Sequence, residues 1–292
     1  MQINHRIALN SSSPFWRAAD SLGLSVDRSN SIIWVANITE DHPTWPAIEP
    51  LVAIYDPRHL VNTVFTASEL DGAGYLRVLA LGHHGYPEPA GDNGYFEATY
   101  DTAHYCHHCG QGLVQRAPFR FRSEPKASHS QFLQLNWVFD ELFVRKLAQE
   151  GIANAGIAGV DFAAPVLHKN GRPLEQVAQM RIATMLPPGI DARNLKMETC
   201  AEPKTDRQQK GSDRILGDWR RGYPYCGRVW YAYFGRGPLI FRRQGFDGAP
   251  DVVKSHEYIG MSRAILVSQR FRRLVLDSKW RGVTFEPIEL VG

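Results

Sequence analysis

Two cysteines separated by two residues are the part of this sequence whose spacing points most directly to chemistry. They lie in the segment YCHHCG at residues 105–110, which holds Cys106 and Cys109 and ends in Gly110. Each thiolate of such a pair can occupy one vertex of a tetrahedral Zn²⁺ site, and the glycine lets the chain turn back after the second ligand. The spacing therefore predicts half of a zinc site. The alternative is that the two cysteines are small buried side chains beside a turn.

A second, partial copy of this motif lies far downstream, at Cys226-Gly227, with Tyr223 where a first cysteine would stand. Cys200 is the remaining cysteine of the chain and lies upstream of Cys226, so we expect it to be the fourth ligand. His107 or His108 could serve instead. Four protein ligands would fill the tetrahedron and make the zinc structural, with no open vertex for water.

Composition narrows the class of protein. The chain has 292 residues, of which 43% are hydrophobic and 22% charged, and this is typical of a globular protein. The formal charge of +3 is too small to indicate a nucleic-acid or membrane partner. No apolar run approaches the roughly 20 residues that span a bilayer, and the first residues do not have the pattern of an export signal. We therefore expect a cytoplasmic protein whose cysteines bind metal.

The segments that follow the two Cys-Gly pairs are similar. A hydrophobic triplet in each is followed, at the same spacing of 15 residues, by a glycine: Val144 precedes Gly159 as Val267 precedes Gly282. The matched segments, 142–167 and 265–290, each predict a strand, a helix and a second strand. The sequence thus predicts two tandem, degenerate strand-helix-strand repeats linked by a zinc knuckle, with copies at about 105–167 and 223–290.

Residues 1–100 differ from this pattern. A helix is predicted to begin at Pro14, with Ser13 as its N-cap, and is followed by several strands, one of them at residues 51–55. A segment rich in turns at residues 82–94 marks a boundary. The prediction is an α+β fold with a strand-rich N-terminal region, residues 1–100, and a duplicated CxxCG-containing region, residues 101–292.

The common catalytic motifs are missing from the sequence. It contains no H-E-x-x-H, no phosphate-cradling G-x-x-x-x-G-K, no G-x-S-x-G, no G-x-G-x-x-G and no H-x-E beside the cysteines. We therefore do not expect an enzyme.

Several of these residues together resemble a known family. They are Cys106-x-x-Cys109-Gly110, Cys226-Gly227, ILVSQRF at 265–271 and GVTFEP at 282–287. This pattern looks like the bacterial double-CxxCG motif family, whose members are described as immunity proteins against toxins delivered between neighbouring cells. The resemblance covers about residues 105–292, and the chain departs from it at Tyr223, where the family's second motif has a cysteine.

The resemblance implies an inhibitor that binds and neutralises a cognate protein toxin in the cytoplasm of the producing cell, with neither membrane nor nucleic acid as partner. The alternative is a zinc-knuckle module that binds nucleic acid, or a metal-dependent enzyme. A basic surface around the knuckle or an open zinc vertex would favour the alternative. A closed site, together with a face that is either broad and concave or acidic and aromatic, would favour the inhibitor.

Overall fold

A computed structural model describes residues 1–126, 129–202 and 223–292, which form a strand-rich mixed α/β structure. Among these residues no helix is long and apolar enough to cross a membrane. The described strands are β1 Gln2–Asn10, β2 Val26–Asp27, β3 Ile33–Thr39, β4 Arg58–Val64, β5 Tyr75–Ala80, β6 Tyr100–Asp101, β7 Val114–Gln115, β8 Arg120–Phe121, β9 Phe132–Leu133, β10 Leu142–Arg145, β11 Asp161–Ala163, β12 Val166–Leu167, β13 Val177–Arg181, β14 Ile190–Asp191, β15 Lys196–Thr199, β16 Val229–Ala232, β17 Leu239–Arg242, β18 Val252–Ile259, β19 Ser262–Ser268 and β20 Val283–Val291. The described α-helices are α1 Pro14–Ser21, α2 Trp45–Tyr55, α3 Ala67–Gly72, α4 Tyr95–Thr99, α5 Lys146–Asn154 and α6 Gln269–Asp277.

A four-stranded sheet in the order β2-β3-β1-β4 forms the N-terminal part of the molecule, with α1 and α2 packed on it. The helix predicted at Pro14 is confirmed, since the Ser13 side chain accepts a hydrogen bond from the Phe15 N–H at its first turn. The strand predicted at residues 51–55 is wrong, because this segment is the second half of α2. Pro46 lies in the first turn of that helix, and Trp45 and Ile48 are buried at helical spacing.

The largest sheet has eight strands, is curled, and runs in the order β14-β17-β20-β5-β19-β18-β16-β15. Strand β5 lies between β20 and β19, which come from the end of the chain. Its side chains Leu76 and Val78 are buried in one cluster with side chains of β19. The strands of residues 1–100 therefore divide between two sheets, and the turn-rich segment after β5 does not separate two independent cores. Local turn signals mark where a strand ends, but they carry no information about which sheet it joins.

Two groups of elements have the same internal order. Unit A comprises β9, β10, α5, β11 and β13, whose sheet order is β11-β13-β10-β9. Unit B comprises β18, β19, α6, β20 and β5, whose order in the large sheet is β20-β5-β19-β18. One buried cluster combines side chains from both units, including Leu142, Val144, Ile265 and Val267. In each group one strand, β13 or β5, lies outside the ranges of the copies predicted at 105–167 and 223–290.

The N-terminal sheet contacts the rest of the chain through the loop that follows β16. The Thr63 hydroxyl donates to the Gly235 carbonyl at 2.7 Å and accepts from the Gly237 N–H at 2.8 Å. Between these glycines, Arg236 forms an ion pair with Glu40 at 3.0 Å. Thr63 is buried, so both of its hydrogen bonds are shielded from water and hold the two parts of the molecule together.

Candidate metal centre

The structure brings all four cysteines of the chain together. The Sγ atoms of Cys106 and Cys200 are 3.6 Å apart, and those of Cys109 and Cys226 are also 3.6 Å apart. All four Sγ atoms lie within 4.8 Å of one another. Cys106 and Cys200 are buried, Cys109 is half-buried and Cys226 is exposed, so the cluster lies at the surface with one side covered by protein.

The first pair of sulfurs comes from the loop between β6 and β7. The Cys106 N–H donates to the Gln111 carbonyl at 2.8 Å, and the Gly110 N–H donates to the Cys106 carbonyl at the same distance. Gly110 has a φ of 73°, a left-handed conformation that favours glycine. The turn predicted from the C-x-x-C-G spacing is present, and it points both thiols to the same place.

The second pair comes from the two strands β15 and β16, which are antiparallel neighbours. Cys200 follows β15 and Cys226 precedes β16, and the Cys200 N–H donates to the Arg228 carbonyl at 2.9 Å. The Gly227 N–H donates to the Cys200 carbonyl at 2.9 Å, and Gly227 has a φ of 71°. This repeats the bond from Gly110 to Cys106, so Cys200 takes the place of the first cysteine of the second motif, where the sequence has Tyr223.

The donor set and its spacing fit a tetrahedral metal ion. A Zn²⁺ ion with four bonds to sulfur of about 2.3 Å has sulfur atoms about 3.8 Å apart along each edge of the tetrahedron. The pair distances of 3.6 Å and the upper limit of 4.8 Å bracket that edge. These four cysteines lie close enough together to bind a metal ion.

The pKa values of three of the thiols are shifted in different directions. Burial opposes ionisation of Cys106, but hydrogen bonds from the Cys109 and His108 backbone N–H groups lower the pKa of its thiol to about 6. Burial raises the pKa of Cys109, and burial also raises the pKa of Cys200 to about 11, with the neighbouring thiols adding to the effect. Burial therefore opposes ionisation of Cys109 and Cys200, and a divalent cation bound here would favour the thiolate form of both.

The two alternative ligands, His107 and His108, are not in this cluster. The His107 ring stacks on Tyr223 with centroids 3.7 Å apart, and the His108 ring stacks on Tyr225 at 3.8 Å. A ring nitrogen of His108 also lies 2.8 Å from the Tyr223 carbonyl oxygen. The histidines therefore join the two cysteine-bearing segments through ring contacts.

No protein-family model matches the chain, and the search of curated proteins finds no match.

Proposed function

We propose that this protein is an immunity protein that binds and neutralises a cognate bacterial toxin in the cytoplasm of the producing cell. We further propose that a structural Zn²⁺ holds its cysteine centre. The observation that carries the proposal is the convergence of Cys106, Cys109, Cys200 and Cys226 within 4.8 Å. It joins the two Cys-Gly motifs on which the resemblance to the double-CxxCG family depends.

The chemistry of the donors favours zinc. Soft thiolate ligands select zinc or iron–sulfur clusters over hard cations such as Mg²⁺ and Ca²⁺, and four cysteines at tetrahedral spacing are typical of structural zinc. A Zn²⁺ ion bound by all four would have no open position for water or substrate. It would fasten the loop after β6 to strands β15 and β16, which form one edge of the large sheet.

We also interpret units A and B as copies of one structural repeat. The support is their common sheet order and the equivalence of β10 with β19 and of α5 with α6. In this interpretation β5 supplies to unit B the strand that β13 supplies to unit A. A duplicated scaffold presents two outer faces that can differ in sequence while sharing one core, which suits a protein whose role is to bind a partner.

Metal analysis tests the zinc site. We expect about one equivalent of zinc per chain after expression in zinc-replete medium, and less than about a tenth of an equivalent would contradict the proposal. The Cys200→Ser variant should lose the metal, since it removes a ligand. His108→Ala is the matched control and should retain it. Retention in Cys200→Ser with loss in His108→Ala would show that a histidine completes the site.

Co-expression tests the function. The candidate toxin is the product of the gene adjacent to that of this chain, and its expression alone should arrest growth. Co-expression of the present protein should restore growth, and the two proteins should co-purify, with an affinity near nanomolar or roughly 12 kcal/mol. Restored growth without a complex would overturn the binding proposal and point to an enzyme that reverses the toxin's effect.

A further inference from the structure

A cavity of about 350 Å³ lies beside the cysteine loop and has an aromatic lining. Its wall is formed by the cysteine loop, by α4, by the segment before β10 and by the turn between β18 and β19. Aromatic side chains lining it include Tyr95, Phe96, Tyr105, Trp137, Phe139 and Tyr258. This aromatic cavity is distinct from the cluster of sulfur atoms.

Contacts between the rings hold the wall of the aromatic cavity. Trp137 lies between Tyr86, at a centroid distance of 4.5 Å, and Tyr95, at 6.2 Å. Phe96 contacts Tyr95 at 4.6 Å and Tyr105 at 5.0 Å. Rings that brace one another lose little side-chain freedom when a ligand binds, so the cavity is largely formed before binding.

Trp137 is one of two exposed rings in this wall, the other being Phe139. Its side chain is 49% exposed, although a tryptophan of a folded domain is usually well covered. Its backbone φ is 66°, a left-handed conformation that a side chain with a Cβ adopts at a cost in free energy. Such conformations persist where the surroundings impose them, and they concentrate at functional sites.

One charged side chain lines the cavity. Among the described residues of the lining, Asp140 is the one that carries a formal charge. Lys254 lies 4.0 Å from Asp140 but only 2.5 Å from Glu141, so its ammonium group pairs mainly with Glu141. The Asp140 carboxylate therefore has no ion pair closer than 4.0 Å among the described residues, and it can attract a cation that enters the cavity.

The molecule already contains an example of a cation on one of these rings. The Arg263 guanidinium lies 4.1 Å from the centroid of Tyr258, which lines the cavity. Gln111, also in the lining, is 1% exposed, and neither polar atom of its side chain has a hydrogen-bond partner among the described residues. The oxygen of this buried amide can accept a hydrogen bond from a ligand N–H, and its nitrogen can donate one to a ligand oxygen.

We propose that the aromatic cavity binds a guanidinium or ammonium group of an arginine or lysine side chain presented by the toxin. Aromatic faces attract organic cations through their quadrupole, and the Asp140 carboxylate adds a charge of opposite sign. That the toxin presents the cation rests on the proposed function. That the ligand is a cation rests only on the residues that line the cavity.

Ligand-observed NMR on the purified zinc-bound protein tests the chemistry without the toxin. The probe is N-acetyl-arginine amide, and the control probe is N-acetyl-citrulline amide, which replaces the guanidinium with a neutral urea of the same shape. We expect saturable binding of the arginine probe and binding at least about tenfold weaker for the citrulline probe. Equal binding of the two probes would overturn the proposal.

Substitutions in the lining test whether the arginine probe binds in the cavity. Trp137→Leu and Asp140→Asn should each weaken arginine binding by about five- to tenfold, through loss of a ring face and of a charge. Phe234→Leu is the matched control, since Phe234 is 62% exposed and lies outside the lining. Binding that is unchanged in both cavity variants, each shown by its melting temperature to be folded, would overturn the proposal.

The toxin complex separates this inference from the proposed function. We expect Trp137→Leu and Asp140→Asn to lower affinity for the adjacent toxin at least about tenfold. If both bind it as the unmodified protein does, the cavity is not part of the interface, although the proposed function stands. If the unmodified protein neither protects cells nor binds the toxin, the proposed function and the toxin as source of the cation both fail, while the NMR result still decides the chemistry of the cavity.

Discussion

Unit A and unit B share backbone hydrogen bonds at positions where their side chains differ. Three backbone N–H groups after α5 donate to carbonyls of that helix: Ala155 to Gly151, Gly156 to Ala153 and Ile157 to Ile152. Three after α6 do the same: Ser278 to Leu274, Lys279 to Leu276 and Trp280 to Val275. Each donor and acceptor in the first set is 123 residues before its counterpart in the second. The conformation of this turn therefore does not depend on which side chains occupy it.

The units also contact each other in a reciprocal way. The carbonyl of Ala158 in unit A accepts a hydrogen bond from Val252 N–H in unit B at 3.0 Å. The carbonyl of Arg281 in unit B accepts one from Phe132 N–H in unit A at 3.2 Å. The residues that follow these carbonyls are the two glycines of the matched segments, so each unit places its glycine turn against the first strand of the other.

The outer faces of the units show what differs between them. Phe143 of β10 packs among Tyr95, Tyr100 and other residues of the aromatic segment that precedes it. Leu266, its counterpart in β19, packs in a separate cluster with strand β17 and the start of β18. Both units contribute to the inner core, whereas the outer face of unit A is covered by the aromatic segment that also supplies Tyr95 and Phe96 to the aromatic cavity.

Alanine substitutions in the two glycine turns should give the largest loss of stability. Gly159 and Gly282 have φ values of 90° and 108°, and a Cβ at either would overlap a carbonyl oxygen of the other unit, that of Val252 or Phe132. Gly159→Ala and Gly282→Ala should each lower the free energy of unfolding by at least about 4 kcal/mol, measured by urea titration with zinc present. A tolerated alanine at either position would break the equivalence of the units.

A control variant distinguishes the steric overlap of an added Cβ from the strain of a left-handed backbone conformation. Gly171 has a φ of 70° but no heavy atom near the position of an added Cβ. Gly171→Ala should therefore cost only the conformational strain, about 1–2 kcal/mol. If it costs as much as Gly282→Ala, the reciprocal contact is not what requires glycine in the two units.

Removal of a helix N-cap should lower the free energy of unfolding by a smaller amount, and it can be tested in unit B alone. The Ser268 side chain accepts from the Phe271 N–H at 3.3 Å and donates to Asp251 at 2.6 Å, whereas Arg145, at the same place in unit A, makes no cap bond. Ser268→Ala should cost about 1–2 kcal/mol in urea titration, and Ser268→Thr should restore most of it. An equal loss in both variants would indicate that packing at this position, and not the hydroxyl, stabilises α6.

The cysteine centre shows what the sequence can and cannot predict. The C-x-x-C-G spacing indicated the first pair, because a local motif fixes its own turn. Cys200 could be named only as the remaining cysteine, since its approach to Cys226 depends on the pairing of β15 with β16. The stacking of the two histidines on tyrosines depends on that same long-range contact, and nothing in the local sequence predicts it.

The same distinction applies to the fold. The matched spacing from Val144 to Gly159 and from Val267 to Gly282 indicated a strand, a helix and a strand, which are local features. The insertion of β5 between β20 and β19 was not predicted, because strand order depends on contacts between residues about 200 positions apart. The strand predicted at residues 51–55 was wrong because five apolar residues fit both periods, and this segment continues a helix that begins at Trp45.

The smallest expected effect concerns the residue after the last turn of each helix. Gly156 and Lys279 occupy the same place and have φ values of 61° and 55°. A residue with a Cβ pays about 1–2 kcal/mol in this conformation, and glycine avoids that cost but loses about 0.5–1 kcal/mol of chain entropy on folding. Because Lys279 is exposed and forms no ion pair among the described residues, Lys279→Gly should raise the free energy of unfolding by about 0.5–1 kcal/mol.

The reverse change makes the comparison quantitative. Gly156→Ala places a Cβ at an ordinary contact distance, 3.6 Å from an Arg270 side-chain nitrogen, so strain without overlap is added. It should lower the free energy of unfolding by about 1 kcal/mol, opposite in sign to Lys279→Gly and similar in size. Urea titrations of the two variants and of the double variant measure this, and the effects should add because the sites share no partner. Destabilisation by Lys279→Gly would mean that its side chain contributes more than the strained backbone costs, and that the two turns are alike in conformation but not in what stabilises them.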